Sequence, residues 1–220
     1  MAEYLPPALE AARAAVEAHY PACAGAMVAG SVMRGEGTAA SDLDIVVFFE
    51  EGRAAPHRAS IVHAGWPVEF FAHTPKSHAY FLAQDRADGT GTLAHMTAFG
   101  VAMPQETPLI AARRAAAREV WEAGPPPLTP EEVEDRRYTL TELLDDLDPA
   151  RGSLERFGAL SRLYLKLSDF TLRAAGRWSA ISQKTVFKTL CVPSINSCIS
   201  SFFGSLSFLC VQRFLISDRY

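Results

Sequence analysis

Leu5, Leu9, Ala12, Val16 and Tyr20 recur at helical spacing while Glu10, Arg13 and Glu17 fall elsewhere, which predicts an amphipathic opening helix ending near Pro21. The short apolar run Ala26 to Ala29, stopped by Gly30-Ser31, reads as a buried strand. Val32 to Ser41, with Gly35 and Gly37, reads as a loop, and Leu43 to Phe49 as a second buried strand. A polar stretch follows, then a short strand from Ser60 to His63, a turn at Gly65-Trp66 and a strand from Val68 to Ala72. Lys76 to Phe99 is mostly helical with a break at Gly89-Thr-Gly91, and Leu109 to Trp121 is an Ala/Arg/Glu helix.

Gly124-Pro125-Pro126-Pro127 is the clearest linker, because consecutive prolines neither donate backbone bonds nor enter a helix interior. Thr129-Pro130-Glu131-Glu132 then starts a helix with a hydroxyl cap, a first-turn proline and two acids, and that helix reaches Leu147. A further helix runs from Leu154 to about Ala175, with Phe157, Leu160, Leu163, Tyr164 and Leu167 on one face. The expected fold is α/β (α+β): a small mixed sheet flanked by helices over residues 1–122, then a C-terminal helical module over 123–178.

Residues 179–220 differ in composition from what precedes them. They hold nine Ser, one Ala and no Glu, whereas residues 1–178 hold seven Ser and 34 Ala, so a separate sequence origin is expected. Ile195 to Val211 is an uncharged, Ser-rich run of 17 residues, short for a membrane span, and no function is placed in it.

Composition narrows the function. The formal net charge of -4 disfavours avid binding to a phosphate backbone without excluding a single nucleotide, whose phosphates backbone amides and a metal can hold. The four cysteines form no CxxC pair, which leaves a thiolate zinc site without support. The N-terminus has neither the basic start nor the apolar core of a secretory signal, so a cytoplasmic protein with no membrane partner is expected.

The chemistry concentrates between Gly30 and Glu69. Side chains alternate along a strand, so Asp42 and Asp44 share one face, about 6–7 Å apart. Two such carboxylates in a dry site call for a cation, and their oxygens suit Mg²⁺ held together with substrate phosphates. Gly30-Ser31 ends the preceding strand where backbone amides can approach an anion. Glu69 is an acid inside the apolar strand Pro67 to Phe71; if that strand lies beside Leu43–Phe49, it faces the same ion. A third carboxylate there suits a second metal ion and a proton acceptor, and the chemistry would be in-line phosphoryl or nucleotidyl transfer. Singly, each feature has a plainer reading: Asp-x-Asp at a loop edge, a glycine turn, an edge-strand acid. Their order and spacing are more specific than the parts.

Gly30-Ser31, Ser41-Asp42-Leu43-Asp44 and Glu69 together resemble the nucleotidyltransferase superfamily that includes DNA polymerase beta and the aminoglycoside nucleotidyltransferases. The likeness is specific over residues 25–72, looser to about 178 and absent beyond Trp178. It implies two Mg²⁺ ions on Asp42, Asp44 and Glu69, with Glu69 assisting deprotonation of the acceptor. It implies an NTP whose phosphates meet Gly30, Ser31 and Ser41. It also suggests triphosphate contacts from Arg34 and Lys166, although Arg34 reads at least as well as a solvated loop arginine and Lys166 better as an ordinary surface lysine. The reaction expected is transfer of a nucleoside monophosphate to a hydroxyl of a small molecule (aminoglycoside-like) or a protein, with release of pyrophosphate. The alternative is an antitoxin-like partner of a helical toxin. A homodimer or a helical protein partner fits either.

Overall fold

The computed structural model describes residues 5–50 and 55–179; the Ser-rich tail read above lies outside them from residue 180 on. The described chain divides after Gly124. The first unit opens with α1 (Leu5–His19), β1 (Gly25–Ala29), β2 (Leu43–Phe48), β3 (His57–His63) and β4 (Trp66–His73). It closes with α2 (Pro75–Asp88), α3 (Thr92–Phe99), β5 (Val101–Met103) and α4 (Pro108–Ala123).

The five strands form one mixed sheet in the order β3-β4-β2-β1-β5. β2 and β4 are parallel; β1 is antiparallel to both β2 and β5, and β3 is antiparallel to β4. The α/β class and the mixed sheet expected from the sequence are borne out.

Both faces of the sheet are covered, which explains why β2 reads as a nearly continuous apolar run. Leu43, Ile45 and Val47 point with Ala26, Val28, Val68 and Phe70 into one core, closed by α1. The buried face of α1 is small: Ala8, Ala11, Ala12, Ala15 and Val16. Met27, Ala29, Val46 and Phe48 form the opposite core with Met96 of α3 and Ile110 of α4. Continuing the alternation along β2 and β4, Asp44 and Glu69 belong to this second face, at its edge.

Local chemistry sets the helix ends. Thr74 and Thr107 cap α2 and α4, each side chain accepting an amide hydrogen of the first turn, with proline just inside. The Gly89-Thr-Gly91 break holds both glycines at positive φ (71° and 74°). Asp85 closes that corner: its carboxylate accepts from the amides of Thr92 (3.0 Å) and Ala94 (2.9 Å) and from the Thr90 hydroxyl. An acid is favoured there because the first amides of α3 have no partner inside the helix.

The second unit, from Pro125, contains α5 (Pro130–Asp145) and α6 (Ser153–Ala174). Thr129 caps α5, as the sequence pattern predicts, and the structure adds a reciprocal box in which the Glu132 side chain accepts the Thr129 amide hydrogen. Leu140, Leu143, Leu163 and Phe170 form its core. Phe157, expected on the buried face of α6, is 68% exposed. Burial on that helix starts at Ala159, because the contact with α5 runs through Leu163, Leu167 and Phe170, leaving the first turn outside.

Three other strand expectations shift. The hairpin turn is Ala64-Gly65, both at positive φ (49° and 83°), so Trp66 already belongs to β4. β3 begins at His57, three residues before Ser60, and its register with β4 is continuous from His57↔Ala72 to His63↔Trp66. β5 has only three residues and no signature in the apolar pattern. Among the described residues, no helix is long and apolar enough to cross a membrane.

Candidate functional site

Asp42, Asp44 and Glu69 come together. Asp42 lies one residue before β2 and Asp44 is its second residue. Asp44 faces Glu69 directly in the parallel β2–β4 ladder, because Leu43↔Val68 and Ile45↔Phe70 pair on either side. One oxygen from each of the three carboxylates lies within 4.8 Å of the others, and all three side chains are half-buried.

The bend before the acids is shaped around Asp44. Gly30 follows β1 at φ +91°, a conformation open to glycine and strained for other residues. A Cβ at this position would stand 2.6 Å from Asp44 Oδ2. Here a side chain is excluded for two independent reasons, backbone conformation and space.

Ser31 and Ser41 tie the ends of the loop together. The Ser31 hydroxyl donates to Ser41 Oγ (3.2 Å), and Ser41 Oγ also accepts the Thr38 amide hydrogen (2.9 Å). The turn Ser31–Glu36 closes through the Glu36 amide on Ser31 O (2.9 Å). Arg34, on this turn, pairs with Glu36 at 3.2 Å and is exposed.

Electrostatics single out Asp44. Burial, followed by the neighbouring charges of Asp42 and Glu69, pushes its carboxyl up to about 6, against the counteracting pull of Arg34 and Arg58. Three carboxylates crowded at one point are a donor set whose mutual repulsion a hard divalent cation relieves, and the all-oxygen set fits Mg²⁺.

Arg58 was not among the candidates read from the sequence. Its Nη2 lies 2.5 Å from Glu69 Oε2, and its guanidinium stacks over the Phe71 ring at 4.8 Å. Ser60 Oγ donates to Glu69 Oε1 at 3.4 Å. The signal was alternation: Arg58 and Ser60 share a strand face, but only a strand that starts before Ser60 reveals it. Lys166 stands on α6 of the second unit with its side chain exposed.

Beyond the acids on the same sheet face lies a neutral aromatic and histidine cluster. His73 and His78 meet edge to face at 5.7 Å, His78 contacts Phe48 at 5.3 Å, and His78 Nε2 bonds Thr97 Oγ1 at 3.1 Å. Burial pushes His73 down to about 4 and His78 down to about 3. Both histidines are buried core residues.

No curated protein matches the sequence. Among solved structures the chain is similar to a nucleotidyltransferase-like protein from Exiguobacterium sibiricum, at 11% identity and a TM-score of 0.38, covering 92% of this chain and 74% of that one. Residues 9–87 match the family model of the nucleotidyltransferase domain, which supports nucleotidyl transfer as the general chemistry of that segment. The resemblance read from Gly30-Ser31 and the three acids is thereby borne out: the stretch that matches the nucleotidyltransferase domain contains β1 to β4, the glycine bend, Asp42, Asp44 and Glu69.

Proposed function

We propose that the protein is a Mg²⁺-dependent nucleotidyltransferase that moves a nucleoside monophosphate from an NTP to a hydroxyl, releasing pyrophosphate. The acceptor would be an aminoglycoside-like small molecule or a protein side chain. The observation that carries this reading is the register Asp44↔Glu69, which places a third carboxylate beside Asp42 and Asp44 at the Gly30 bend.

In this reading Asp42, Asp44 and Glu69 hold two divalent cations, which supply charge neutralisation at the transferred phosphoryl group. The backbone at Gly30 and the Ser31 and Ser41 hydroxyls receive the phosphates, in a space kept open by the missing side chain. Glu69 accepts the proton of the attacking hydroxyl. Arg34 and Lys166 are assigned to the triphosphate on resemblance. Most of the acceleration would come from alignment and charge, since phosphoryl transfer asks little covalent chemistry of the protein.

The test is incubation with α-labelled NTPs, Mg²⁺ and a panel of hydroxyl acceptors, beside an Asp44→Ala variant. Label transfer by the wild type and a loss of at least about 10³-fold in the variant are expected. Equal transfer by both proteins would overturn the assignment.

A further inference from the structure

We propose that Arg58 is a built-in counter-cation for Glu69 that a divalent ion must displace, so that this arginine sets how tightly the site takes its metal. The inference rests on the reading of the three acids as metal ligands.

Three contacts aim Arg58 at this role. Its guanidinium is 2.5 Å from Glu69 Oε2, the Phe71 ring supports it from below at 4.8 Å, and Ser60 holds the other Glu69 oxygen. Both Arg58 and Ser60 come from the edge strand β3, while Glu69 comes from β4, so the pair bridges two strands at the outer side of the acid cluster. Arg58 is 62% exposed and Glu69 27%, so the cation can swing into solvent at little cost while the carboxylate stays in place.

The charge pattern agrees. With three acids at one point and no metal, Arg58 neutralises the outermost, and its charge reaches Asp44 as well. A divalent ion offers the same acids twice the charge at shorter range, and the two cations repel if both remain. Glu69 therefore has two partners competing for it. Arg58 is a positioning residue in this scheme, acting through Glu69.

The experiment is Mn²⁺ binding to the full chain, without nucleotide, by titration calorimetry or by the loss of the free-ion electron paramagnetic signal. R58Q removes the charge and is expected to bind Mn²⁺ about three- to fivefold more tightly than wild type, as an exposed ion pair of this kind allows. R58K keeps the charge and is expected to match wild type. A gain in affinity is informative because damage to the fold would weaken binding. If R58Q does not fold, R58M, which keeps an unbranched stem over Phe71, takes its place with the same expectation. Asp44-dependent binding that is equal or weaker in R58Q overturns the inference alone. Wild-type protein that binds no Mn²⁺, or an Asp44→Asn variant that binds it equally well, removes the metal site and this inference with it.

Discussion

Asp44 pairs with Glu69 on one side, across the parallel β2–β4 ladder, and with Ala29 on the other, across the antiparallel β1–β2 ladder. Because β2 is the central strand, its second residue loses water on both flanks, and the residue paired with it on β4 is another acid. The sheet therefore creates an electrostatic load that favours a cation, and it does so beside Gly30, where a side chain would stand against the Asp44 carboxylate.

The load should be visible in stability. An Asp44→Asn variant keeps the shape of the side chain and removes one of three converging charges. In EDTA at pH 7.5 the variant is expected to be more stable than wild type by about 1–2 kcal/mol, a discounted reading of a carboxyl that stays partly hydrated. Adding Mg²⁺ should raise the melting temperature of wild type and leave the variant nearly unchanged. Thermal unfolding of both proteins with and without the metal checks this; a variant less stable than wild type in EDTA contradicts it.

Gly30 makes a separate prediction. Alanine there meets strain from φ +91° and a contact of 2.6 Å with Asp44 Oδ2. Relief requires turning the Asp44 carboxylate away or opening the bend. The Gly30→Ala variant should lose about 1–3 kcal/mol of stability and at least about 10²-fold in nucleotidyl transfer. Alanine at Gly35 is a control for the backbone term alone: it also sits at positive φ (71°), but none of the described residues lies within 4 Å of its would-be Cβ. Transfer rates of the two variants side by side separate strain from crowding, and equal losses would mean that the contact with Asp44 is unimportant.

Much of this site is legible in the sequence because it follows from strand alternation. Asp42 and Asp44 straddle the first residue of an apolar run, and Glu69 interrupts another, so each acid announces a break in a buried pattern. Which strands pair is a long-range property, and the register Asp44↔Glu69 was available only as a conditional. Arg58 was hidden because β3 is an edge strand, largely exposed, whose first residues are held by pairing with β4 instead of by burial of their own. β5 is too short to leave a pattern, and the face of α1 is built from alanines, which carry weak hydropathy yet pack closely on the sheet.

The buried histidines give a pH dependence whose sign follows from burial. His73 falls to about 4 and His78 to about 3, below the ordinary histidine value near 6.5. The unfolded chain therefore binds protons that the folded chain refuses, and stability present above pH 6.5 is lost as pH falls toward 4. His73 Nδ1 has no hydrogen-bond partner among the described residues, and its ring packs edge to face on His78 and Phe81, so phenylalanine is a reasonable fit. The His73→Phe variant should lose stability less steeply between pH 6.5 and 4, by roughly 2 kcal/mol over that interval. Urea unfolding at four or five pH values would show it; parallel wild-type and variant curves would count against the assignment.

The hairpin that delivers Glu69 to Asp44 turns through Ala64 and Gly65, both with positive φ. Two left-handed central residues in a two-residue loop make the type I′ turn, whose twist matches the flanking strands and which favours Asn-Gly. Alanine at the first position bears the steric cost of a Cβ in the left-handed region without compensation. Ala64→Asn should therefore stabilise the first unit by about 0.5–1 kcal/mol. Because β3 and β4 keep their register, Glu69 stays opposite Asp44, and the transfer rate should be unchanged. Melting temperature and label transfer measured together decide it. A stabilised variant with altered transfer would mean that the turn sets the position of Glu69, and a destabilised one that the left-handed conformation at Ala64 is not what the chain adopts.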